Sequence, residues 1–129
     1  MQDKWDKIEL FFNTRKGASE SSLTKFCHHF VFSPDGEGVE ITRLRNEEER
    51  PLCNPDDLCL EEIETPRRSQ VYITIKEEAL FGFDPKRFPN LGFAYKICCG
   101  ITQSFPYSSL DVNMEKRPNM WSTLHLKER

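Results

Sequence analysis

Apolar residues recur at every second position in four separate stretches of this chain. Neighbouring side chains on a strand point to opposite faces, so a period of two marks a strand with one dry side. Ile8, Leu10 and Phe12 alternate with Glu9, Phe11 and Asn13. Phe26, His28, Phe30 and Phe32 fall on one side of a second run, with Cys27, His29 and Val31 on the other. Val71, Ile73 and Ile75 oppose Tyr72 and Thr74. Leu91, Phe93, Tyr95 and Ile97 oppose Gly92, Ala94 and Lys96, a small side suited to close approach by another layer or a ligand.

The segments between these runs carry turn chemistry. Residues 16–22 are a loop by composition. Pro34 to Gly38 reads as a tight turn, with Gly36 and Gly38 both able to take positive φ. With Val39 to Leu44 it predicts a hairpin. The charge run from Asn46 to Arg50 and the polar stretch Asn54 to Asp57 predict a long exposed excursion, which is uncommon inside a compact domain. Leu58 to Ile63 reads as a short strand, Lys76 to Leu80 as one short helix, and 100–118 as irregular. Trp121 to Leu126 closes the chain as a strand. Six or seven short strands with almost no helix predict one all-β domain over 1–129, an antiparallel sandwich of jelly-roll type.

Composition narrows the function classes. The chain is 37% hydrophobic and 30% charged, which suits thin layers with one wet face each. A net charge of -3 supplies no basic field, so nucleic acid is not an expected partner. No apolar run approaches the ~20 residues a membrane span needs, and no membrane association is expected. The charged start, Met1 to Lys7, lacks the apolar core of a signal peptide, so the expected location is the cytoplasm. Five cysteines, an odd number, point to reduced thiols and not to a disulfide framework.

Few motifs carry chemistry. Cys27 and His29 share one face of their strand and form a candidate zinc pair, with further ligands to come from Cys53, Cys59, Cys98 or Cys99. The spacing matches no usual zinc knuckle, and packed thiols beside a hydrogen-bonded histidine are the simpler reading. A cysteine nucleophile activated by an adjacent histidine fails on geometry, because adjacent strand side chains diverge. The crowded carboxylates from Glu47 to Glu62 suggest calcium by their oxygens, but no spaced calcium loop supports it. Phosphate-loop and dinucleotide fingerprints are absent. No cofactor is expected, calcium and zinc being the two weighed. Trp5, Tyr72, Tyr95, Tyr107 and Trp121 are amphipathic rings of the kind that stack on sugars, Trp121 having core packing as its simpler reading. Arg15, at the end of the first strand, can fork to backbone carbonyls and hold a loop, or reach a ligand.

Asp6 to Arg15, read as Asp-Lys-Ile-Glu-Leu-Phe-Phe-Asn-Thr-Arg, is similar to the D-x-(I/V)-E-(L/V)-F-(I/L)-D-(T/P)-R strand of the family 9 carbohydrate-binding-module-like, or DOMON-like, sandwiches. Phe26 to Phe30 and Leu91 to Tyr95 resemble later strands of a bacterial branch of that superfamily. Pro118 to Leu126 resembles its closing segment. The resemblance spans nearly the whole chain and rests on the order of individually weak motifs. It implies a non-catalytic module that binds a saccharide or another small polar molecule. The ligand contacts expected on this reading are Trp121, Tyr107, Tyr95 and Arg15. Asn13 stands where the relatives carry Asp, which weakens a metal or charge role there. The relatives also place several strands ahead of the first motif, and only about five residues precede it here. The expectation is a sandwich lacking its first strands, with open edges that invite a protein partner or a homodimer. Two alternative readings therefore stand beside saccharide binding: an assembly domain, and a zinc-stabilised module or metal-dependent enzyme.

Overall fold

The computed structural model describes residues 5–15, 24–41, 51–99, 103–104 and 122–126. Eight strands are described: β1 Lys7–Asn13, β2 Cys27–Phe32, β3 Gly38–Ile41, β4 Leu58–Glu64, β5 Ser69–Ile75, β6 Asn90–Cys99, β7 Gln103–Ser104 and β8 Ser122–His125. Two single 3-10 turns, Pro55–Asp57 and Glu77–Ala79, are the helical elements among these residues. The second of them occupies the place of the expected short helix. The chain is all-β and antiparallel, as the alternation predicts.

One sheet has six strands. Its order is β3-β2-β1-β6-β7, and β8 also pairs with β6, at the opposite end from β7. The first described strand is thus paired on both sides and is not an edge. Register carries the alternation across the sheet. Ile8 lies opposite Phe32 and Ile97, Leu10 opposite Phe30 and Tyr95, and Phe12 opposite His28 and Phe93. These rows form one apolar face. Glu9, Phe11 and Asn13 lie opposite Val31, His29 and Cys27 on the other.

The second sheet is the two-stranded β4-β5 ribbon. Its inward residues Leu58 and Leu60 join Ile8, Leu10, Phe30, Phe32 and Ala79 in the core, with Val71, Ile73 and Ile75 packed against them. Phe30 and Phe32 are fully buried, each worth about 2–3 kcal/mol of transfer free energy. The ribbon turns at Pro66 and Arg67. Thr65 closes the turn, its N–H donating to Arg68 O at 2.8 Å and its Oγ1 accepting from Arg68 N–H at 3.1 Å.

The β2-β3 hairpin forms over Cys27–Phe32 and Gly38–Ile41, its expected continuation to Leu44 lying outside the described residues, and its two glycines do different work. Gly36 takes φ 95°, the left-handed conformation that the turn requires. Gly38 does not. It is the first residue of β3, paired with Phe32, and a Cβ there would stand 2.6 Å from Phe32 Cε1 and 3.1 Å from Leu58 Cβ. Glycine at 38 is a packing requirement, because Phe32 is fully buried and cannot swing away. Gly38→Ala is expected to cost about 1–3 kcal/mol by overpacking. Urea denaturation measures it; an unchanged midpoint would contradict the close approach.

Candidate functional site

His28 and His29 are adjacent on β2, so their rings enter opposite faces of the sheet, and each ring meets a glutamate there. On the apolar face, His28 Nδ1 lies 2.7 Å from Glu40 Oε2, and both side chains are fully buried. His28 Nε2 lies 3.1 Å from the carbonyl oxygen of Phe81. A carbonyl only accepts, so Nε2 is the donor in that contact. Glu40 Oε1 accepts from Cys53 N–H at 2.9 Å. The ring also stacks on Phe30 at 5.6 Å. This network ties β2, β3, residue 53 and residue 81 together. Among the described residues no buried side-chain nitrogen or oxygen lacks a hydrogen-bond partner.

On the other face, His29 Nε2 lies 2.7 Å from Glu9 Oε1, and the ring stacks on Phe11 at 4.4 Å. Glu9 Oε2 faces Lys7 Nζ at 3.6 Å, Lys96 Nζ at 3.8 Å and Cys98 Sγ at 3.9 Å. Burial pushes the Glu9 carboxyl up. The His29 hydrogen bond, then the charges of Lys96, His29 and Lys7, outweigh burial and hold it at about 2. A carboxylate this acidic is a weak base at neutral pH. The cluster holds the Glu9 charge among two lysines and a histidine ring.

The expected zinc pair can be read against this geometry. Cys27 and His29 do share a face, but Glu9 occupies His29 Nε2, and Cys27 Sγ sits 3.8 Å from Thr24 Oγ1. Among the described residues no three His, Cys, Asp or Glu side chains converge as metal ligands.

Of the four expected ligand contacts, Arg15 and Tyr95 lie among the described residues. Arg15 donates from Nε to the carbonyl of Gly82 at 3.0 Å, and its guanidinium lies between the rings of Phe26 and Phe88, at 4.7 and 4.0 Å. It fastens the connection after the 3-10 turn Glu77–Ala79 to the end of β1. Tyr95 lies on the apolar face, beside Phe93 and against the core under the ribbon. Tyr107 and Trp121 lie outside the described residues.

Tyr72 presents its ring to solvent, half exposed on the outer face of the ribbon. Its hydroxyl donates to Gln70 Oε1 at 3.0 Å. Register places Glu61 directly opposite it, with Thr74 opposite Cys59 and Gln70 opposite Ile63. The outer face is therefore an aromatic ring and an exposed Ile63 among a carboxylate, an amide and a hydroxyl. A regular strand pair, backed by the core, holds them all. Alternation puts Tyr72 on the polar side of its strand, but its polar neighbours come from β4, and only the cross-strand register reveals them.

No protein-family model, no curated protein and no solved structure matches this chain. The chemistry of the outer ribbon face therefore stands on its side chains. An exposed aromatic ring offers an apolar plane, and the three polar groups offer both hydrogen-bond donors and acceptors. No helix among the described residues is long and apolar enough to cross a membrane.

Proposed function

We propose that this chain is a non-catalytic binding module, and that the outer face of the β4-β5 ribbon takes a saccharide or a similar small polar ligand. The observation that carries this is Tyr72, 50% exposed on a rigid strand and flanked by Glu61, Gln70 and Thr74. A pyranose has one face of C–H groups and a rim of hydroxyls. The C–H face stacks on the Tyr72 ring while Glu61 accepts and Gln70 and Thr74 donate or accept at the rim. The resemblance of Asp6 to Arg15 to family 9 carbohydrate-binding modules supports the ligand class.

Titration calorimetry with a panel of mono- and oligosaccharides tests the proposal. At least one neutral sugar is expected to bind, and Tyr72→Ala is expected to weaken it roughly tenfold or more. The same variant is expected to keep its stability within about 1 kcal/mol, because the ring is half exposed. Flat titrations across the panel would overturn the proposal, as would a Tyr72→Ala variant that binds like the parent.

A further inference from the structure

We propose that β5 is a self-association edge, and that two copies of this chain join antiparallel through it so that the two ribbons become one four-stranded sheet. The phase of the strand comes from its end bonds. Lys76 N–H donates to Asp57 O at 3.0 Å, and Thr65 N–H donates to Arg68 O at 2.8 Å. Residues 68, 70, 72, 74 and 76 therefore direct their backbone groups to β4, and Ser69, Val71, Ile73 and Ile75 direct theirs outward. Among the described residues no strand pairs with that outward side.

Free edges in soluble proteins are normally blunted by charge, proline, bulges or shortness. β5 has none of these: Ser69 to Ile75 is seven residues with no charge, no proline and no glycine. The other edge of the ribbon is different. β4 carries Glu61, Glu62 and Glu64, and its Leu60 carbonyl is crowded by the Gly36 turn, 3.3 Å from where a Cβ would sit.

The occupant is a second copy because the strand complements itself. Centred on Tyr72, a two-fold axis sets Ser69 against the partner's Ile75 and Val71 against the partner's Ile73. Every outward group is then used, in about eight hydrogen bonds. The same register brings the basic hairpin tip, Arg67 and Arg68, beside the partner's Glu77 and the partner's Glu78. Lys76 alone opposes that match. Tyr72 falls directly opposite the partner's Tyr72 in a non-hydrogen-bonded pair, where side chains lie closest. Association would thus turn one exposed ring into a two-ring platform on the proposed ligand face.

Sedimentation equilibrium of the purified chain without sugar tests this independently of the ligand reading. Edge pairing buries little apolar area, so half-dimerisation is expected on the order of 10–100 µM. Tyr72→Lys sets two ammonium groups face to face and is expected to raise the dissociation constant roughly tenfold or more. Glu77→Lys is expected to raise it about threefold, and adding Arg67→Glu to restore it to within about twofold. These positions are exposed, so the variants keep their fold. A strict monomer at ~1 mM would overturn the proposal. So would a dimer indifferent to Tyr72→Lys, or a failure of the charge swap to restore association.

Discussion

Replacing His28 with alanine is expected to lower stability by about 3–5 kcal/mol and the melting temperature by about 10–20 °C. The cause is what remains behind. Glu40 is fully buried, and without the ring it keeps the Cys53 N–H but loses its 2.7 Å partner. The carbonyl of Phe81 loses the Nε2 proton at the same stroke. An uncompensated carboxylate in a dry interior costs far more than a lost surface pair. Glu40→Gln is the informative comparison. Its amide oxygen still accepts from Cys53, and its NH₂ donates to Nδ1 of a ring protonated on Nε2, so about 1–2 kcal/mol is expected. Urea denaturation of the two variants checks the order. A His28→Ala loss below about 1 kcal/mol would mean that the pair is not buried as described.

Acid is expected to remove about 3 kcal/mol of stability through Glu9 alone. Its folded pKa of about 2 lies below the ordinary carboxyl value of 4.5. The unfolded chain therefore takes up the proton first. The stabilisation is complete above pH ~4.5, declines below it, and is gone once pH falls through ~2. Glu9→Gln is expected to be less stable than the parent by a similar amount at pH 6. The gap then closes as pH drops, because acid gives the parent the same neutral side chain. Denaturation curves at intervals from pH 6 to 2.5 measure both chains. Curves that stay parallel would place the stabilisation elsewhere than in the Glu9 carboxylate.

The two glutamate–histidine pairs also show where sequence reading stops. Alternation placed β1, β2, β5 and most of β6 correctly, because one dry face imposes period two on the side chains that fill it. It also put His28 and His29 on opposite faces. It did not pair them with Glu40 and Glu9, which lie 12 and 20 residues away and meet the rings only through cross-strand register. Gly38 was read as a turn residue because glycine after a turn looks the same whether it serves φ or space; the Phe32 ring across the strand decides for space. β7 lies inside a stretch that reads as irregular, since two residues carry no period. Tyr95 illustrates the reverse case. Its place in the apolar row with Leu91, Phe93 and Ile97 already assigned it to the covered face, and that pattern outweighs the general aptitude of tyrosine for ligands.

On the proposed function, this β domain binds its ligand through the outer face of its ribbon. Amide chemical-shift mapping of the labelled protein, during titration with a neutral oligosaccharide, tests it most directly. Saturable shifts confined to residues 59–63 and 70–74 are expected. Shifts clustered instead around Glu9, His29 and Cys98, or around Arg15 and Phe88, would contradict it.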